Sequence, residues 1–379
     1  MSTEMYNILT LNKISPIGLN RFDANYKCAD DIASPDAILV RSASMHEYEM
    51  PESLLAIARA GAGVNNIPLD KCSEKGICVF NTPGANANAV KELVICGLLL
   101  SSRRVIKGIE WAKTLKGNGA EVGKMVEKGK SSFAGPEIKG KTLGIIGLGA
   151  IGLLVEKAAS ALGMNIIGYD PYISENNKKS LNDSTVFTDN LDELYAGSDY
   201  ITIHVPLNDG TRGFICAESI AKMKDGVRIL NYSRDGLAKS ADILSALESG
   251  KISAYVTDFA TDDILGVDGV IALPHLGAST PESEENCAYM AAEQVKDYLE
   301  NGNIVNSVNL PCLSAERSGA RICVIHKACD KLCETAKACG NAVTKLRGDY
   351  GYTIIDNADL SKADELEKLE CVLRVRTFN

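Results

Sequence analysis

The sequence predicts an α/β chain: two doubly wound parallel-sheet lobes, then a small βαββαβ module. Three observations predict it. Two separate series of short apolar runs alternate with helical stretches. A Gly-rich turn stands between strand and helix at the head of the second series. From about Arg321 the order of strands and helices changes.

The first series runs from Asn7 to about Ile95. Ile38-Leu39-Val40 reads as a strand ending at Arg41-Ser42, Leu54 to Arg59 as a helix, and Ile77 to Phe80 as a strand running into Asn81-Thr82-Pro83-Gly84. Ala87 to Ile109 lacks proline and predicts one long helix. Lys116 to Gly135, rich in Gly and Lys, predicts an irregular connection or an arm. In the second series Thr142 to Ile146 is a strand, Ile151 to Leu162 a helix and Asn165 to Tyr169 a strand. Tyr200 to His204, Val227 to Asn231 and Ser253 to Asp258 are apolar enough to be buried strands, and Val270 to Leu273 is a short one that delivers Pro274-His275. Ala291 to Leu299 is helical and Asn301-Gly302 ends it; Ser307 to Pro311 is an extended linker. Then follow a strand (Arg321 to Ile325), a helix (Cys329 to Cys339), two strands around Asp349-Tyr350-Gly351, a helix (Lys362 to Leu369) and a strand (Val372 to Val375). That order is ferredoxin-like.

A net charge of −9 predicts no attraction to nucleic acid or to an anionic membrane, so an anionic ligand would need locally placed Arg or Lys. No apolar run has the length of a membrane span, and the opening MSTEMYNILTLNK lacks the basic and apolar segments of a leader, so the expectation is a cytoplasmic protein. In that compartment the twelve cysteines stay reduced, as small and mostly buried apolar residues. Without Cys-x-x-Cys spacing and with only four His, no metal site is expected.

Gly147-Leu148-Gly149-Ala150-Ile151-Gly152 is the strongest motif, because it lies between a strand and a helix. The first glycine permits the tight turn, the second lets backbone approach a pyrophosphate, and the third lets helix pack on strand. The lobe is therefore Rossmann-like. Asp170, ending the next strand, is placed to accept from a ribose hydroxyl and to repel a 2′-phosphate, which selects NAD over NADP.

Removing a hydride beside a carboxylate calls for a cation to hold that carboxylate, a base for the hydroxyl proton and an anion to orient the base. Of the four His, His275 follows a strand and precedes Leu276-Gly277-Ala278-Ser279-Thr280, which makes it the best base. His204, before Val205-Pro206, could border the cofactor; His46 and His326 lie elsewhere. Arg234, in Asn231-Tyr232-Ser233-Arg234-Asp235-Gly236, suits bidentate carboxylate binding. Asp258 ends a strand and Asp262-Asp263 follows in a short loop; spacing leaves open which of these meets His275.

These stretches resemble the D-2-hydroxyacid dehydrogenases: Gly147 to Gly152, Asn231 to Arg234, Asp258-Phe259 and Pro274 to Gly277. Within that family Arg41-Ser42, Leu273 to Thr280, Val308 to Pro311 and the last module are most similar to the D-3-phosphoglycerate dehydrogenases, and that module resembles their ACT domain. The resemblance implies NAD-dependent oxidation of D-3-phosphoglycerate to 3-phosphohydroxypyruvate, the entrance to L-serine biosynthesis. The alternatives are another 2-hydroxy acid (glyoxylate, hydroxypyruvate or D-lactate) or a nucleotide-sensing homologue without turnover. It implies a catalytic set Arg234, Asp263 and His275, although Glu is usual where Asp263 stands. It places Asp258, Gly277, His204 and Pro206 beside the cofactor and the substrate at Arg41, Ser42, Ala62, Gly63 and Val64, with Lys130 matching more loosely. Asn65-Asn66 stands where Asp-Asn is frequent. The implied domains are a discontinuous substrate lobe (1–98 and 278–312), an NAD-binding lobe (99–277) and an ACT-like module (318–379) in a homodimer or homotetramer whose arm is Lys116 to Gly135. Family ACT modules grip serine with a His-x-Asn stretch followed by Pro-Gly. Here His326-Lys327-Ala328 lacks the Asn and Ala328-Cys329-Asp330 lacks the Pro-Gly, so weak inhibition by L-serine is expected.

Overall fold

The computed structural model describes residues 5–379, apart from the side chains of residues 330 and 333. The first four residues of the stretch read for a leader lie outside the described residues. The chain forms two compact units, Met1–Asn86 with Pro281–Asn379, and Ala87–Thr280.

The first unit opens with β1 (Tyr6–Leu11), α1 (Pro16–Leu19), β2 (Tyr26–Ala29), β3 (Ala37–Val40), β4 (Ala56–Arg59), α2 (Leu69–Glu74) and β5 (Cys78–Phe80). The strands form a parallel sheet in the order β2-β1-β3-β4-β5. All four residues of β3 are buried, as a continuous apolar run inside a parallel sheet should be. The expected helix at Leu54 to Arg59 is instead β4, paired with β3 on one side and β5 on the other. Six residues are too few for periodicity to separate a buried strand from a buried helix, and the two neighbouring strands decide it.

The second unit begins with α3 (Ala87–Arg103), α4 (Val105–Thr114) and α5 (Val122–Gly129). The single helix expected from Ala87 to Ile109 is broken at Arg104, whose φ of 43° lies outside helical space. The expected irregular stretch from Lys116 to Gly135 holds α5 and a 3₁₀ turn, Lys130–Phe133. Neither α4 nor α5 buries a residue, and Trp111 packs on Phe133 with ring centroids 5.1 Å apart. Next come β6 (Thr142–Ile146), α6 (Ala150–Ala161), β7 (Asn165–Tyr169), α7 (Glu175–Lys179), β8 (Val186–Phe187), α8 (Leu191–Gly197), β9 (Tyr200–Ile203), α9 (Ala217–Ala221), β10 (Val227–Asn231), α10 (Ser240–Glu248), β11 (Ile252–Thr257) and β12 (Val270–Ala272). The parallel sheet runs β12-β11-β10-β9-β6-β7-β8, a doubly wound order with its switch point beside β6. Val90, Val94 and Leu98 of α3 join Leu143, Ile145 and Val155 in one buried cluster. The division expected after residue 98 therefore falls inside a helix, and the compact unit takes all of α3.

The chain returns to the first unit through α11 (Pro281–Asn301), then β13 (Arg321–Lys327), α12 (Asp330–Cys339), β14 (Asn341–Arg347), β15 (Tyr350–Asp356), α13 (Ala363–Glu367) and β16 (Val372–Phe378). This antiparallel sheet has the order β14-β15-β13-β16, which is the ferredoxin-like arrangement. Its strands alternate between two buried faces. Ile322, Val324 and Ile355 face Leu332, Ala336 and Leu366 of the module's own helices. Cys323, Ile325, Tyr352 and Phe378 join Phe80, Tyr298 and Leu299 in a core shared with the parallel sheet. Arg321, wholly buried, binds both Asp356 oxygens (2.6 and 3.0 Å) and donates to the Asn301 and Ala315 carbonyls (2.7 and 3.1 Å). Arg376 donates to the Tyr298 and Leu299 carbonyls, each at 2.8 Å, and the Tyr352 hydroxyl to that of Gly302. The module read as separate is thus welded to the first lobe.

Candidate active site

β6 ends in the Gly-rich turn. Gly147 has φ 93°, and a Cβ there would stand 2.5 Å from the His204 carbonyl oxygen. At Gly152 a Cβ would stand 2.0 Å from the Gly147 oxygen, so helix and turn meet only because Gly152 lacks a side chain. Gly149 faces open space, with nothing within 4 Å of where its Cβ would be. α6 starts immediately after, at Ala150 and Ile151, and presents first-turn N–H groups without helical partners. Asp170 follows β7; its carboxylate accepts from the Leu148 and Tyr172 N–H groups, both at 2.9 Å, which brings it beside the turn.

Along the same edge of the sheet, each strand end carries one polar group. His204 follows β9, with Nε2 3.0 Å from the Thr202 hydroxyl and a buried Nδ1 that has no partner. Burial holds its imidazole down to about 3, so it is neutral at ordinary pH. Pro206 is exposed, and its carbonyl accepts from Thr211 at 2.6 Å. After β10, Asn231 donates to the Arg234 carbonyl (3.0 Å) and accepts from the Ser233 N–H (3.2 Å), while the Ser233 hydroxyl donates to the Val205 carbonyl (2.7 Å). These bonds shape the loop that presents Arg234, whose exposed guanidinium donates to the Ser233 carbonyl. Among the described residues it enters no ion pair, with Asp235 or otherwise.

Asp258 follows β11 and is buried. One of its oxygens accepts from the Gly277 N–H at 3.0 Å and ties down the loop that carries His275 after β12; the other is buried without a partner. Burial raises its carboxyl above the usual carboxylate range, while the Gly277 N–H and the charges of His275 and Arg234 pull it back. His275 is exposed and packs on Phe259 with ring centroids 4.9 Å apart. Among the described residues Asp263 enters no ion pair with His275: it is exposed, accepts from the Thr261 hydroxyl at 2.5 Å, and the hydrogen bond holds its carboxyl low. Arg234, Asp258 and His275 thus follow three strands, β10, β11 and β12, that are neighbours in the sheet.

In the first unit, Arg41 follows β3 and pairs with Glu284 at 2.6 Å, both half-exposed. Asn12 accepts from the Ser42 and Ala43 N–H groups, and Asn81 donates to the Ala62 carbonyl at 2.7 Å, fixing the turn through Gly63 and Val64. Lys130, in the second unit, is exposed and paired with Glu127. The sequence reading passed over Arg59. Its Nε donates to the backbone carbonyl of Arg41 at 3.0 Å, which places a second guanidinium against the chain that carries Arg41. The misread helix hid it; a strand ending at Arg59, parallel to one ending just before Arg41, would have revealed it.

These residues fit a dinucleotide. The open cradle at Gly149 and the carboxylate at Asp170 suit a pyrophosphate and a ribose, and the orphaned atoms of Asp258 and His204 await polar partners. Residues 97–277 match the family described as D-isomer specific 2-hydroxyacid dehydrogenase, NAD binding domain. The chain is 40% identical over 299 residues to D-3-phosphoglycerate dehydrogenase of Methanocaldococcus jannaschii, covering 76% of this chain and 55% of that one. It is also 40% identical over 276 residues to hydroxypyruvate reductase of Thermotoga maritima, covering 70% and 85%. The NAD⁺-bound 3-phosphoglycerate dehydrogenase structure of Entamoeba histolytica superposes with a TM-score of 0.64 at 27% identity, covering 82% of this chain and all of that one. The chain belongs to the D-2-hydroxyacid dehydrogenases and carries their NAD-binding domain. It spans just over half the length of the D-3-phosphoglycerate dehydrogenases it matches.

Proposed function

We propose that the protein oxidises D-3-phosphoglycerate at C2 with NAD, giving 3-phosphohydroxypyruvate. The observation that carries the dehydrogenase reading is the row of Arg234, Asp258 and His275 at adjacent strand ends, on the sheet edge that also holds the Gly-rich turn. The Arg234 fork binds the substrate carboxylate. His275 accepts the hydroxyl proton, and the negative charge of Asp258 stabilises the imidazolium that results. Asp258 also positions the base through Gly277. Gly147 to Gly152, Asp170, His204 and Pro206 hold NAD, which takes up the hydride when bound. Asp263, the residue that the family pattern aligns with the acid, keeps a proposed part in orienting His275. Arg41, with Ser42 and the Ala62 to Val64 turn, is proposed for the phosphate, and Lys130 as a lesser contributor; a homo-oligomer is proposed with them.

The substrate choice rests on the names of the relatives and on the module that resembles an ACT domain. A second reading, reduction of hydroxypyruvate, is favoured by the relative that matches over most of its own length. Absorbance of reduced nicotinamide across a panel of phosphoglycerate, hydroxypyruvate, glyoxylate and D-lactate separates the two. Greatest kcat/KM with phosphoglycerate is expected, and a preference for hydroxypyruvate would overturn the substrate assignment. Arg41→Ala should raise KM for phosphoglycerate more than for an unphosphorylated acid.

A further inference from the structure

The guanidinium proposed above for the substrate phosphate already carries a carboxylate. Arg41 Nη2 stands 2.6 Å from Glu284 Oε1, and both side chains are half-exposed. The pair joins two parts of the first unit, each held by its backbone. On one side, the Arg41 carbonyl accepts from Arg59 Nε at 3.0 Å, and the Ser42 and Ala43 N–H groups donate to Asn12 at 3.0 and 2.7 Å. On the other, Glu284 lies in the first turn of α11, whose Ser283, Cys287, Ala288 and Ala291 are buried. Ala288 lies so close to α1 that a Cβ on Gly18 would stand 2.5 Å from its carbonyl oxygen. Backbone movement is therefore not how the pair opens; side-chain rotation is.

We propose that Glu284 is a specificity-determining residue, a built-in counter-ion of Arg41 that holds down the preference for a phosphorylated over an unphosphorylated 2-hydroxy acid. The inference rests on the reading of Arg41 as the phosphate-binding residue. A phosphate monoester carries about two negative charges at pH 7, and a guanidinium binds it in the same forked geometry as a carboxylate. Phosphate and Glu284 thus compete for one set of donors. An arriving phosphate either turns the Glu284 side chain away from Arg41, or shares Arg41 with it and meets its charge at short range. A half-exposed pair costs little to part, so phosphate still binds, but with a smaller gain than a free guanidinium would give. An acid that ends in a hydroxyl escapes both penalties. Its hydroxyl donates to the carboxylate and meets the guanidinium as a neutral acceptor.

The test compares D-3-phosphoglycerate with D-glycerate, which differ only in the phosphate, through kcat/KM for NAD reduction by the full chain. Glu284→Gln keeps the shape of the side chain and removes its charge. It should raise the phosphoglycerate-to-glycerate ratio by about tenfold, as expected for one charge at short range in a part-exposed site. The gain should fall on KM for phosphoglycerate rather than on kcat, and it should shrink at high salt, where exposed charges are screened. Glu284→Asp, which restores the charge, should return the ratio toward that of the wild type. Calorimetric titration with inorganic phosphate should give the same order without turnover, with Glu284→Gln binding more tightly. Arg41→Ala separates the two ideas. If it collapses the ratio while Glu284→Gln leaves ratio and phosphate affinity unchanged or lower, the counter-ion proposal is overturned and the phosphate site stands. If Arg41→Ala itself leaves the ratio unchanged, the phosphate lies elsewhere and the proposal falls with that reading.

Discussion

His275 is the residue whose loss should matter most. His275→Ala is expected to lower kcat by roughly 10²–10⁴-fold, the usual contribution of a general base, in steady-state assays of whichever acid proves best. Asp258 and Asp263 can be told apart by the pH profile. The charge of His275 acts on the buried Asp258, whereas the exposed Asp263 is held by Thr261, so Asp258→Asn should move the profile further than Asp263→Asn. Stability should move the other way. A carboxyl with a raised pKa binds its proton more tightly folded than unfolded, so it weakens the fold as pH climbs from the ordinary carboxylate value through the raised one. Above the raised value that penalty is complete, and there Asp258→Asn should raise the calorimetric midpoint while lowering activity. A midpoint that falls would mean that the ionised carboxylate is a net stabiliser. His204 has the opposite signature. With a folded value of about 3 against 6.5, its contribution is intact above pH 6.5 and is lost as pH falls toward 3. His204→Gln should flatten the loss of stability in that window.

At the scale of the element, the Gly-rich turn separates folding from binding within six residues. Gly152→Ala forces a methyl onto the Gly147 carbonyl and should lower the thermal midpoint along with NAD affinity. Gly149→Ala meets nothing in the structure. It should leave the stability unchanged within about 0.5 kcal/mol, as for a surface substitution, yet weaken NAD binding measured by calorimetric titration. If Gly149→Ala binds NAD like wild type, the pyrophosphate does not sit there. β13 makes a comparable point about regulation. His326 is buried, its Nδ1 donates to the Lys327 carbonyl at 2.8 Å, and its Nε2 meets the Thr353 hydroxyl at 3.0 Å. Both nitrogens are engaged within the sheet, so this imidazole offers nothing to an effector. L-serine is accordingly expected to inhibit weakly, with strong inhibition as the contrary result.

Across the whole chain, the join between the C-terminal module and the first lobe sets what can be removed. Arg321→Met leaves the Asp356 carboxylate and two carbonyls short of their donor and should cost about 3–5 kcal/mol. Deleting Arg321 to Asn379 would uncover Phe80, Tyr298 and Leu299, which pack against Cys323, Ile325, Tyr352 and Phe378. We expect the truncated chain to aggregate in light scattering. A soluble truncated chain with unchanged thermal stability would show that the shared core contributes little. No helix among the described residues is long and apolar enough to cross a membrane.

The sequence by itself determined the strongly periodic elements, the Gly-rich turn with Asp170, and the strand ends that carry Arg234, Asp258 and His275. Each depends on local pattern: apolar runs bounded by turn residues, and glycines at fixed offsets. Only the tertiary structure decided the rest. Whether Ala56–Arg59 is strand or helix depends on β3 and β5 lying beside it, and the position of Arg59 next to Arg41 follows from that pairing. The break at Arg104 is a backbone dihedral that no composition signals. The Asp258 carboxylate differs from that of Asp263 because one is buried under the His275 loop and the other stands in solvent, a difference of burial rather than of residue type. The buried Arg321 reads in the sequence as one more charged residue. Its carboxylate and carbonyl partners come from far along the chain, and only folding brings them within reach.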